Sequence, residues 1–238
     1  YDAGIKAYFA YRNSQGGIWG RKLVLAKELD DALSANQAKA LEIVSSNDTF
    51  ATFGAAQFPS GWADIAKAGI PFYVWGIWAD QANHQPGIYG YGGTTCGGCT
   101  SRVAAFEAKV AGAHKVAALG YGISPNSKVC AQTAAKSIQQ YSANIGGATV
   151  AYVNDSLQFG LPNGIGPEVT AMKNAGVDFI ISCLDLNAMK TIAQELQRQG
   201  YRDKVRMFHP NTYDQDFVKQ AGSLFEGDIV SPGFRPFE

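Results

Sequence analysis

The sequence predicts an α/β protein built as two lobes, each on a parallel sheet. Three observations carry this. Strand-like runs and helical segments alternate almost without a break along the 238 residues. The strand-like runs are short and apolar on both faces, as strands covered by helices on each side are. The rhythm breaks once, from Asn83 to Thr100, where Gly, Tyr, Thr and Cys dominate and neither a helical nor a strand period survives. Alternation argues for parallel sheets because two parallel strands can be joined only by a long crossover, which a helix supplies. The break reads as a crossing between lobes: a first lobe over 1–93, a second over 94–230, and a return crossing over 231–238 that opens on Ser231-Pro232-Gly233.

Taken in order, Gly4–Asn13 reads as a helix, Gly16–Lys22 as a glycine turn, and Leu23–Leu29 as a strand closed by the pair Asp30-Asp31. Ala35–Ser46 is helical with Ala38, Leu41 and Val44 on one face. Ala51–Gly54 and Pro71–Trp75 are strands, with Trp62 and Trp75 expected to fill the core. In the second lobe Arg102–Ala111 is a helix with Val103, Phe106 and Val110 on one face. Strands come next at Val116–Leu119, Thr149–Val153, Asp178–Cys183, Val205–Phe208 and Asp228–Val230. Asn187–Gly200 is the clearest helix: Met189, Ile192, Ala193 and Leu196 recur at i, i+3, i+4 and i+7, and Gly200 stops it.

Twenty basic and twenty acidic residues cancel, and no basic run interrupts them. Nucleic-acid binding needs concentrated positive charge to displace counterions, so the chain is not expected to bind nucleic acid. No apolar run reaches the roughly 20 residues of a membrane span. Four cysteines are too few to frame a disulfide mini-domain. Cys96-Gly97-Gly98-Cys99 has a redox or half-zinc spacing, but further zinc ligands would have to come from scattered Cys130, Cys183, His84, His114 and His209. A local disulfide, or one linking this pair to Cys130, is the expected role in an exported protein, and Cys183 is read as a small hydrophobe of a buried strand. Gly120-Tyr121-Gly122-Ile123-Ser124-Pro125 begins like a dinucleotide fingerprint, but Pro125 replaces its third glycine. No nucleophile elbow, paired-histidine zinc motif or phosphate loop occurs, so no enzyme, cofactor or metal is expected.

The opening segment carries a resemblance. An Asn-containing helix end (Asn13), Gly16-Gly17-Ile18, Trp19, Gly20-Arg21, a strand and Asp30-Asp31 stand in the order seen in type I periplasmic solute-binding proteins, which include the branched-chain amino-acid receptors of ABC importers. The resemblance is specific from Asn13 to Asp31 and generic beyond. It implies two Rossmann-like lobes that close by a hinge on a small molecule, and a membrane permease as partner. It also implies a monomer located in the periplasm or outside the cell, with lipid anchoring open. It further implies a partial chain, whose first lobe lacks a leading strand and C-terminal elements. The alternative on the same architecture is a ligand-sensing receptor or regulator module. In this family the carboxylates at Asp30-Asp31 close a strand and organise the loop after it.

In open α/β sheets ligands sit beyond the carboxyl ends of the strands, so the candidates are the residues just past each strand. Gln57, Phe58 and Ser60 come after the first; Ser60 is placed to cap the next helix, and the resemblance implies a ligand role for this loop. Gly76 and Trp78 come after the next, Trp78 standing where the amino-acid receptors place a threonine. Tyr121 and Ser124 come after Val116–Leu119. Asp185 comes after Asp178–Cys183, placed either to bind an ammonium or to cap a helix. Asn211 and Tyr213 come after Val205–Phe208, where Pro210 stands at the position of the receptors' ammonium-binding acid and His209 is read as structural. The family often has a tyrosine near Pro125, so Trp78, Pro125 and Pro210 all remove polar anchors of the amino-acid pattern. The expected ligand therefore has a carboxylate or other polar end on a flat, apolar or aromatic body.

Overall fold

The computed structural model describes residues 2–56, 58–77, 85–93, 96, 99–209 and 214–231. It divides into two compact units, Tyr1–Thr95 and Cys96–Glu238.

The first unit opens with helix α1 (Asp2–Ser14), which buries none of its residues. The turn after it is made by glycine: a Cβ on Gly17, at φ +73°, would meet the Arg21 carbonyl oxygen at 2.0 Å. That turn brings the Asn13 side-chain amide against residue 23, where it donates to the Leu23 carbonyl (2.8 Å) and accepts from the Leu23 N–H (2.7 Å). Leu23–Leu29 is not a strand, because no neighbouring strand among the described residues pairs with it and a strand exists only through its ladder. Asp30 and Asp31 organise the next turn: Asp30 accepts from the Ala32 N–H, and Asp31 from the Leu33 N–H and the Asn36 amide.

Helix α2 (Asn36–Ser46) and helix α3 (Trp62–Lys67) cover one face of a parallel sheet of β1 (Thr52–Gly54), β2 (Phe72–Val74) and β3 (Ile88–Gly90), in that order. β3 lies inside the stretch in which the sequence shows no strand period. Phe72, Val74 and Ile88 pack with Trp62, Ile65, Ala40 and Ile77 on the covered face. Among the described residues the opposite face is mostly open. There Phe53, Tyr73 and Tyr89 stand in register across the three strands and stack at 5.6 and 5.3 Å between ring centroids. Phe9 of α1 meets Phe53 edge-on at 6.2 Å, yet all three strand aromatics stay exposed. Among the described residues this sheet is therefore covered by helices on one face only. Trp62 is 1% exposed, as a core residue, whereas Trp75 is 48% exposed. Strand alternation puts Trp75 on the same side as Tyr73, away from the core. The expected apolar face of α2 is corrected in part: Val44 packs inward as expected, but Ala38 and Leu41 are exposed, and Ala40 and Ile43 pack inward in their place.

The second unit is a doubly wound five-stranded parallel sheet, β5-β4-β6-β7-β8, of β4 (Lys115–Tyr121), β5 (Thr149–Leu157), β6 (Phe179–Cys183), β7 (Arg206–His209) and β8 (Ile229–Val230). Its helices are α4 (Val103–Val110), α5 (Pro125–Tyr141), α6 (Gly166–Ala175), α7 (Leu186–Arg198) and α8 (Gln215–Ala221). β6 is buried at all five positions. On one side of the sheet α6 and α7 enclose Leu119, Ile180, Val169, Met172, Met189, Ile192 and Leu196; on the other, α4 and α5 enclose Val116, Phe179, Ile181, Ala105, Ala108 and Ile138. The α7 stripe is buried as its periodicity predicts. α4 is turned the other way: Val103, Phe106 and Val110 are exposed and its alanines face the sheet, because only small side chains let the helix lie close to it.

Candidate functional site

The topology of the second unit selects one place. From β4 the chain crosses to β5 on one side, then back over to β6 on the other, so the strand order reverses at β4. The two crossover helices lie on opposite faces, which opens a crevice at the carboxyl ends of β4 and β6, where ligands of open α/β sheets bind. The helices after both strands start there. α5 has Pro125 in its first turn and Ser124 as its cap, with the Ser124 hydroxyl accepting from the Ser127 N–H at 3.3 Å. α7 is capped by Asp185, whose Oδ1 accepts from the N–H groups of Asn187 (2.9 Å) and Ala188 (3.2 Å).

Tyr121, the last residue of β4, joins these two starts. Its ring is buried and lies 4.9 Å from the Phe159 ring, and its hydroxyl donates to Asp185 Oδ2 at 2.5 Å. Burial first, and then the bond to and charge of Asp185, push the phenol pKa well above its ordinary value. Tyr121 therefore stays a hydroxyl at physiological pH, and the Asp185 carboxylate serves both the helix and the tyrosine. The pair offers a rigid aromatic wall and a carboxylate oxygen beside two helix starts that Ser124 and Asp185 already cap, a set suited to orienting a small molecule that carries a hydrogen-bond donor.

Under this pair Ser127 ties the strand ends together. Its hydroxyl donates to the Cys183 carbonyl (2.5 Å) and accepts from the Tyr121 N–H (2.7 Å). One helical turn on, Cys130 is disulfide-bonded to Cys183, with Cα atoms 5.9 Å apart. This corrects the reading of Cys183 as a small hydrophobe, since its strand end lies within disulfide reach of α5. Cys96 and Cys99 form the local disulfide, one of the two pairings expected. Gly120 makes the close approach of α5 possible, because a Cβ there would meet the Ser127 carbonyl oxygen at 2.6 Å. Beside the crevice, at the end of β5, a mixed groove of about 260 Å³ is lined by Asn154, Ser156, Gln158 and Glu168 together with Leu161 and Pro162.

Of the sequence candidates, Tyr121, Ser124 and Asp185 gather at this switch point. Ser124 is buried as a cap, and Asp185 takes the capping alternative while also holding Tyr121. In the first unit Phe58 is half-buried, Gly76 is half-buried, and Ser60 is exposed. Ser60 does not cap α3: the cap is Gly61, whose N–H is held by the Asn36 side chain at 2.9 Å. Gln57, Trp78, Asn211 and Tyr213 lie outside the described residues. His209 is structural: it is buried at the end of β7 with Nε2 2.8 Å from Asp228, which also pairs with Arg202 at 2.8 Å. Among the described residues no three His, Cys, Asp or Glu side chains group as a metal site. Sequence reasoning missed Ser127, Phe159 and the Cys130–Cys183 link. The Ser-Pro-x-Ser spacing at Ser124–Ser127 was the available signal for a capped helix start; nothing local marks a cysteine pair 53 residues apart.

Residues 1–238 match the family described as periplasmic binding protein. No curated protein matches the sequence. Among solved structures, the chain is similar to the leucine-, isoleucine-, valine-, threonine- and alanine-binding protein from Brucella ovis, with 15% identity, a TM-score of 0.74, and coverage of 100% of this chain and 62% of that one. It is similar to the branched-chain amino acid transporter substrate binding protein of Streptococcus pneumoniae in complex with isoleucine, with 16% identity, a TM-score of 0.70, and coverage of 90% and 60%. A third is a solute binding protein of an ABC transporter from Rhodopseudomonas palustris in complex with 3,4-dihydroxybenzoic acid, with 18% identity, a TM-score of 0.62, and coverage of 84% and 54%. The chain thus spans between 54% and 62% of these three proteins.

Proposed function

Because this chain belongs to the periplasmic binding protein family, we propose that it is the solute-binding part of an ABC importer and captures a small organic carboxylate outside the cytoplasm. The observation that carries the reading is the switch-point crevice, where the Tyr121 and Phe159 rings suit a flat body and Asp185 suits a ligand hydroxyl, the acidic end lying away from that carboxylate. Among the similar structures, some are named for or hold aliphatic amino acids and threonine, and two from Rhodopseudomonas palustris hold hydroxylated benzoates. The second kind matches a flat body with one acidic end, the ligand that the substitutions Trp78, Pro125 and Pro210 favour in place of an α-amino acid. Disulfides persist in oxidising compartments, which suits a protein working outside the cytoplasm. In this proposal capture works by hinge closure, a membrane permease recognises the closed form, and the receptor acts as a monomer.

Native mass spectrometry of the purified protein, and then thermal-shift titration with 4-hydroxybenzoate, 3,4-dihydroxybenzoate, leucine and isoleucine, tests it. A ligand at 100 times its Kd stabilises by about 2.7 kcal/mol. Saturable stabilisation by the benzoates and not by the amino acids is the expected result. Stabilisation by leucine or isoleucine alone would overturn the aromatic ligand class, and no binding in either series by folded protein would overturn the receptor reading.

A further inference from the structure

We infer that the Cys130–Cys183 disulfide, together with Ser127, is the positioning element of the switch-point crevice: it holds the Tyr121–Asp185 pair in place from beneath. This gives a role to a cysteine pair that no part of the capture mechanism uses, and its bearing on ligand binding rests on the function proposed above.

Cys183 ends β6, and Asp185 stands two residues further on, at the start of α7. Tyr121 ends β4, and the ladder between β4 and β6 runs out at Gly120 and Cys183. Beyond that pair the two strand ends have no mutual backbone bonds in register, and the α5 start takes over the work. Ser127 occupies the gap, bonded on one side to the Tyr121 N–H and on the other to the Cys183 carbonyl. Three residues later on the same face of α5, Cys130 fixes the Cys183 side chain covalently. The surrounding layer is made of small side chains, Ala118, Ala131 and Ala135, with Cys183 among them. Alanines bring α5 close to the sheet, and no large side chain of the helix packs at this end, Ile138 lying two turns further along. The hydroxyl and the disulfide supply the two fixed points that packing lacks. Tyr121 and Asp185 each leave this clamp within two residues, which sets the separation their 2.5 Å hydrogen bond requires.

The test reads Tyr121 directly and needs no ligand. The 238-residue protein is labelled with tyrosine carrying 13C at the ring ζ carbon, and each resonance is tracked by NMR as pH rises. Tyr121→Phe identifies the resonance. In the disulfide-bonded protein it titrates later than any exposed tyrosine. In Cys130→Ala/Cys183→Ala, with far-UV circular dichroism unchanged, the Asp185 contribution is lost and the titration is expected to move down toward the ordinary tyrosine range, burial holding it above that range. Ser127→Ala, which keeps the disulfide, is expected to shift it part of the way, and this variant decides the question where the double variant fails to fold. A folded double variant, or a folded Ser127→Ala, in which the Tyr121 resonance and its titration match the parent would overturn the inference. Affinity is measured separately on the same variants. If the Tyr121 signal moves while the parent binds no acid, the positioning role stands and the ligand reading falls.

Discussion

Glu107 offers the sharpest quantitative test of the structure. It sits half-buried on α4 in an apolar trough of about 510 Å³ lined by Val103, Phe106, Val110, Ile145, Phe208, Ile229 and Val230. Removal from water raises its carboxyl pKa from 4.5 to about 7. A folded-state pKa above the unfolded value means that the native protein binds the extra proton between these limits. Stability from this group is therefore highest below pH 4.5, falls as pH rises toward 7, and is flat above. The shift of roughly 2.5 units at about 1.36 kcal/mol each would be about 3.4 kcal/mol. Partial exposure screens the charge and reduces this to about 1–2 kcal/mol. Glu107→Gln, which cannot ionise, is expected to match the parent at about pH 4 and to exceed its stability by about 1–2 kcal/mol at about pH 8. Urea unfolding should be monitored by far-UV circular dichroism, with hydrogen exchange across α4. Tryptophan fluorescence would miss the effect, since Trp19, Trp62, Trp75 and Trp78 all lie in the Tyr1–Thr95 unit. A difference between variant and parent that is the same at both pH values would refute the desolvation argument.

The packing sets three further outcomes. Gly120→Ala drives a methyl group into the Ser127 backbone at 2.6 Å and is expected to cost about 1–3 kcal/mol in urea unfolding, with parent-like stability contradicting the close approach of α5. Asp228→Asn leaves the buried Arg202 charge without its ion pair, and a loss of about 3–5 kcal/mol at neutral pH is expected; a loss under about 1 kcal/mol would mean that the pair is solvated. Trp62→Ala empties the centre of the first unit's core and is expected to cost about 3–5 kcal/mol, read as a drop in that unit's melting temperature, while hydrogen exchange in β4 and β6 stays unchanged.

Much of the architecture was legible because it is written in local periodicity. The α7 stripe of Met189, Ile192, Ala193 and Leu196 needs only a helix and a core, and the structure buries all four. The buried strands of the second unit read correctly for the same reason. Leu23–Leu29 opens with an apolar run, though it carries Lys27 and Glu28, and pairs with no strand among the described residues; a strand is a property of a pair and periodicity describes only one member. α4 shows a related failure. Its larger side chains mark Val103, Phe106 and Val110 as the inner face, yet the sheet accepts its alanines, because close helix–sheet contact favours small volume over hydrophobicity.

By itself, then, this chain determined its class, its alternation of strand and helix, the family resemblance of its opening, and the positions of the loops that come after each strand. Those are consequences of neighbours a few residues apart. Only the tertiary structure decided which loops share a site. The strand order turns at β4, and that turn brings Tyr121 to Asp185 across 64 residues and Cys130 to Cys183 across 53. Such meetings depend on the order in which strands assemble, which hydrogen bonding between distant segments sets and no local pattern records.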